Sequence, residues 1–114
     1  MEIFDADAFD ELTAGDAGLQ QDLLQIARAE RANLLAEAQI TDVSGEAAFA
    51  HKLRGFAANL CGPSLTGLAE NWRTLSPPKR ELELKAELDQ LIDALTHHLT
   101  KANIAVGSVD TPSQ

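Results

Sequence analysis

Leu84, Leu88, Leu91, Leu95 and Leu99 share one stripe of a helix that the sequence predicts from about Lys79 to Ala102, and Leu82 and Ile92 widen that stripe. A helix this apolar on one side must bury it against other elements, so the stripe constrains the fold more than any other feature. The rest of the chain supplies helices for that purpose. Apolar residues are mostly Ala and Leu, there is no Tyr and a single Trp, and no segment alternates in the manner of a strand. Repeats and low-complexity tracts are also missing.

Asp5 to Leu12 reads as a short helix with acidic residues in its first turn, stopping near Gly15 and acting as a cap on the fold. Asp16 is placed to cap a second helix running to about Gln39, whose expected core positions are Leu19, Leu23, Ile26, Ala27, Leu34, Leu35 and Ala38. A turn at 40–45 follows, with Ser44 expected to cap a third helix that runs to about Cys61 before Gly62-Pro63 breaks the chain. A fourth helix is expected from Ser64 to Leu75, burying Leu65, Leu68, Trp72 and Leu75 and ended by Ser76-Pro77-Pro78. The pattern predicts an all-α protein, an antiparallel four-helix bundle with a short N-terminal helical cap. Residues 1–103 would form that domain, and 104–114, with Gly107, Ser108 and Pro112, would be a flexible tail.

With 114 residues there is room for one core. No apolar run approaches the ~20 residues of a membrane span, and the first residues lack the basic start of a signal peptide, so the expected location is cytoplasmic. The net charge of −9 argues against nucleic acid and predicts a locally basic or apolar surface on any partner. The lone Cys61 cannot form an internal disulfide and reads as a packing residue.

Chemistry points to one stretch, Ala50 to Gly62. Phe49, Leu53, Phe56 and Leu60 form the core stripe of the third helix, and with Phe49 at zero His51 falls at about 200°, facing solvent. Ala47, Ala48, Arg54, Gly55 and Ala58 surround it at helical spacing, and small residues leave the imidazole approachable. A mid-helix glycine costs about 1 kcal/mol relative to alanine, so Gly55 suggests that access at this position matters. Arg54 is within one turn, placed to donate charge-assisted hydrogen bonds to a phosphoryl group on the ring.

His51-Lys52-Leu53-Arg54-Gly55, followed by Ala57-Ala58-Asn59 and Gly62, resembles the H-x-L-[KR]-G signature of histidine phosphotransfer (HPt) domains. The resemblance implies that His51 accepts a phosphoryl group from a receiver-domain aspartate and passes it to another such aspartate, in a phosphorelay fed by a hybrid sensor histidine kinase. Arg54 would stand beside the phosphohistidine, Gly55 would give access, and Ala47, Ala48, Lys52 and Ala58 would touch the partner. It also implies no metal or cofactor on this chain, the Mg²⁺ belonging to the receiver. The partner would supply most of the active site to an in-line displacement by the imidazole. Phe56 departs from the family, which has a small residue there; its place on the core stripe predicts altered packing.

Two other readings compete. One is an HPt-like adaptor that binds a receiver or another signalling protein without accepting phosphate. The other is the dimerisation and phosphoacceptor part of a sensor kinase, which usually has an acidic residue directly after its histidine and a proline shortly beyond. Lys52 and Gly55 stand there instead, and this chain can close four helices alone, so a monomer is expected. His97 and His98, adjacent near the expected end of the last helix, would meet the helix dipole and not share a face, against a metal site. Walker loops, HExxH and Cys/His clusters are absent.

Overall fold

The computed structural model describes the backbone of residues 2–110 and the side chains through Lys101. Among the described residues five α-helices, α1 (Ala6–Leu12), α2 (Ala17–Ile40), α3 (Glu46–Asn59), α4 (Pro63–Glu70) and α5 (Pro77–Asp110), carry the fold, with 3₁₀ turns at Val43–Gly45 and Trp72–Thr74. No strand occurs among the described residues. The long dimension, 58 Å against 22 and 20 Å across, is set by α5, whose 34 residues span about 51 Å at 1.5 Å each.

The leucine stripe does what its spacing requires. Leu84, Leu88, Leu91, Leu95 and Leu99 are all buried, and Ile92 joins them. Leu82 does not widen the stripe, since it is 74% exposed. Against this face lie α2 and α4. Polar ties fix the direction of α2: Arg28 Nη2 donates to Thr96 Oγ1 at 3.1 Å, Arg31 to Asp89, and Gln39 Nε2 to Glu81 Oε1 at 2.8 Å. Partners descend along α5 as residues ascend along α2, so the two helices are antiparallel.

The buried face of α2 differs from the expected one. Leu19 and Ile26 are 42% and 55% exposed, whereas Gln20 and Leu24 are buried with Ala27 and Leu34. The register turns because Gln20 is bonded inside: its amide donates to Asp10 Oδ1 at 3.0 Å and Thr13 Oγ1 at 2.9 Å. A buried amide satisfied in this way no longer opposes burial. Asp16 caps α2 as expected, accepting from the Leu19 amide, and Asp5 caps α1 by accepting from the Ala8 amide, which seats Phe9 fully in the core.

Ser44 is not the cap of α3. It lies in the 3₁₀ turn and donates to Asp42 Oδ1 at 2.7 Å, while the same oxygen accepts from the Gly45 amide. The hydrogen bond from Ser44, followed by that from Gly45, holds the Asp42 carboxyl below its usual pKa. Helix α3 ends at Asn59, two residues before the expected stop. There the Gly62 amide donates to Ala57 O and the Cys61 amide to Ala58 O, with Cys61 in the left-handed region at φ 54. That bonding pattern closes a helix and turns the chain sharply. Burial, then Asp5, pushes the Cys61 thiol pKa up, consistent with a packing role.

Pro63 begins α4, where its missing N–H is no loss. The helix stops at Glu70, short of the expected Leu75, and Trp72 is buried from the following 3₁₀ turn with its ring 5.0 Å from Phe49. The end of this hairpin therefore meets the start of α3, and the two helices run antiparallel. Residues 2–5 strap the hairpin turn, with the Asp5 amide donating to Cys61 O and the Ser64 amide to Glu2 O, both at 2.8 Å. Helix α5 continues to Asp110, well past the expected end at Ala102; residues 111–114 of the expected tail lie outside the described residues. Among the described residues no helix is long and apolar enough to cross a membrane.

Candidate functional site

Helix α3 presents two faces. Phe49, Leu53, Ala57 and Leu60 are buried, with Leu53 and Ala57 at 0% exposure, and Phe56 is half-buried against the same core. Ala47, Ala48, His51, Lys52, Arg54, Gly55 and Ala58 are exposed on the other side. The angular separation expected from the sequence is thus realised, and Phe56 belongs to packing on the flank of the core.

His51 and Arg54 line one shallow groove between α3 and α4, together with Ala50, Ala69 and Glu70. Its two alanines are the inner members, Ala69 buried and Ala50 half-buried, and the three polar side chains are exposed above them. Neither His51 nor Arg54 makes a side-chain hydrogen bond or ion pair among the described residues, so the imidazole and the guanidinium are both uncommitted. A β-carbon added at Gly55 would meet nothing within 4 Å. Its lack of a side chain serves no internal contact and leaves open space one turn from the imidazole.

Lys52 is placed differently. Its ammonium lies 2.9 Å from Glu37 Oε1 and ties α3 to α2, and the hydrogen bond it donates to that carboxylate raises the Lys52 pKa. Ala48 and Lys52 line a second groove with Ile40 and Thr41, beyond the one holding His51. Ala47 and Ala58 lie on the exposed face of α3 outside both.

Glu70 is the group that the sequence reading missed. It is the last residue of α4, and only the hairpin closed by Cys61 and Gly62 carries it to His51. No local motif announces such a neighbour.

The other histidines have different surroundings. His98 Nε2 is 2.9 Å from Asp10 Oδ1, and its ring stands edge-on to Phe4 and Phe9, so it fastens α5 to α1. Because α5 runs on to Asp110, neither His97 nor His98 sits in its last turn, and the expected dipole contact is not made. Among the described residues no three His, Cys, Asp or Glu side chains converge as a metal site would require. The groove can therefore offer a nucleophilic ring nitrogen, one cation and one carboxylate to a molecule docking on α3. Comparison with models of known families, with curated proteins and with solved structures returned no match.

Proposed function

We propose that this protein is a histidine-containing phosphotransfer protein that relays a phosphoryl group between receiver-domain aspartates through His51. The observation that carries the reading is the pairing of an uncommitted, exposed imidazole with an uncommitted guanidinium in one groove, beside a glycine whose missing side chain clears the approach. Arg54 would neutralise charge on the transferred group, and Ala47, Ala48 and Ala58 would let a partner surface come close. The antiparallel α2–α5 and α3–α4 pairs support assembly as a four-helix bundle capped by α1, closed within a single chain and monomeric.

In this reading the partners are response-regulator receiver domains and a hybrid sensor histidine kinase, in the cytoplasm. Mg²⁺ is bound by the receiver and not by this chain. The signature at His51 to Gly55 supports the same assignment. The half-buried Phe56 lies on the core flank and leaves the His51 groove unobstructed, which favours a carrier over an adaptor that only binds.

The test is incubation with a phosphorylated receiver domain, comparing the native chain with His51→Gln. Acid-labile label on the native protein and none on the variant supports the carrier; binding of several competent donors without transfer would replace it with the adaptor.

A further inference from the structure

We propose that Glu70 sets the direction in which His51 exchanges its phosphoryl group, by making the loaded state less favourable and the protein a better donor than acceptor. The inference rests on the reading of His51 as a phosphoacceptor and adds a device that controls it.

Among the five residues of the groove, two are alanines and three carry the polar chemistry: the imidazole of His51, the guanidinium of Arg54 and the carboxylate of Glu70. Glu70 has no hydrogen-bond or salt-bridge partner among the described residues, unlike Glu37, Glu46 and Glu81, each of which is held by a basic or amide side chain. Its charge is therefore left in the groove. Helix α4 ends at this residue, so the partial negative charge of a helix C-terminus lies on the same side.

The transfer itself balances as follows. An unprotonated ring nitrogen of His51 attacks the phosphorus of an aspartyl phosphate, the N–P bond forms, and the P–O bond breaks with its electron pair returning to the carboxylate. The other ring nitrogen then releases its proton to solvent, so the phosphorylated ring is neutral. A phosphoryl group brings about two negative charges near neutral pH. The groove answers with one cation, Arg54, and Glu70 opposes it, so loading His51 leaves an excess of negative charge that departure of the phosphoryl group relieves. Both side chains are exposed, so the effect is modest and sensitive to salt.

Potassium phosphoramidate tests this without a cognate partner, since His51 attack on it releases ammonia and the reaction can be brought to equilibrium at a fixed ammonia concentration. ³¹P NMR would give the ratio of phosphorylated to free protein for the native chain, Glu70→Gln, Glu70→Asp and His51→Gln. The ratio for Glu70→Gln should exceed the native one by about two- to fivefold at low salt. That gap should close toward 1 M NaCl, where the screening length is about 3 Å. Glu70→Asp should stay near native, separating charge from shape. An equal or lower ratio in Glu70→Gln at low salt, with the native chain loaded at His51, overturns the role of Glu70 and leaves the carrier reading standing. Label that persists in His51→Gln, or a native chain that never loads, overturns both.

Discussion

The Arg80 guanidinium donates a 2.7 Å hydrogen bond from Nη1 to Glu46 Oε1, joining the first turn of α5 to the first residue of α3. Both side chains are mostly buried, at 12% and 14% exposure. Arg80 also donates to Trp72 O and Arg73 O, and stands 5.6 Å from the centre of the Trp72 ring. One cation thus holds together the start of α3, the turn after α4 and the start of α5. Arg80→Ala should destabilise the fold by about 2–3 kcal/mol, because it leaves the mostly buried Glu46 carboxylate without a donor. Urea unfolding measures this, and Glu46→Gln, which keeps an acceptor for Arg80, should cost less.

Gly55→Ala should separate stability from function. The added β-carbon meets no neighbour, and alanine is the better helix former, so the variant should gain about 0.5–1 kcal/mol. The same methyl group stands one turn from His51, where a docked partner would need the space. A higher unfolding midpoint with slower phosphoryl transfer is the expected pair of results.

Gly62 has the opposite character. A β-carbon there would lie 2.9 Å from Leu91 Cδ2 and 3.2 Å from Cδ1, and Leu91 is itself buried in the core. The leucine must shift within packed surroundings, so Gly62→Ala should lose about 1–3 kcal/mol. Because the hairpin turn carries Glu70 to His51, thermal unfolding should be paired with the phosphoramidate ratio, which should change only if the turn is displaced.

Arg31 and Asp89 give the pH dependence. Arg31 Nε and Nη2 contact the two Asp89 oxygens at 2.6 and 3.3 Å, and this hydrogen bonding lowers the Asp89 pKa against the opposing effect of burial. A carboxyl with a lowered pKa in the folded state stabilises above its unfolded value of about 3.9 and loses that contribution as pH falls through its folded value. Asp89 is 43% exposed, so solvent screening keeps the contribution to about 1 kcal/mol or less. The native chain should exceed Asp89→Asn in stability at pH 7, and acid titration of the two by circular dichroism should show the gap shrinking below about pH 4.

Elements with strong apolar contrast were legible in the sequence. The α5 stripe from Leu84 to Leu99 and the α3 core positions Phe49, Leu53 and Leu60 are buried as their spacing requires, and the exposure of His51 follows from that face. In α2 the contrast is weak, with alanine and glutamine throughout, and bonding of Gln20 to Asp10 and Thr13 decided the register. The stop of α4 at Glu70, the strap at residues 2–5 and the Arg80–Glu46 tie depend on backbone or side-chain partners distant in sequence. His51, Arg54 and Gly55 could be found because they lie within five residues on one helix; Glu70 could not, because tertiary packing alone brings it to them.

The most direct measurement of the central claim is to follow a labelled phosphoryl group from a receiver aspartate onto this chain and map its position by tandem mass spectrometry at alkaline pH, where phosphoramidates survive. The chain has three histidines, His51, His97 and His98, and the account predicts modification of His51 alone, with loss from the receiver matching gain on this protein. Label on His97 or His98, or phosphate released to solvent with none passing through His51, would contradict it.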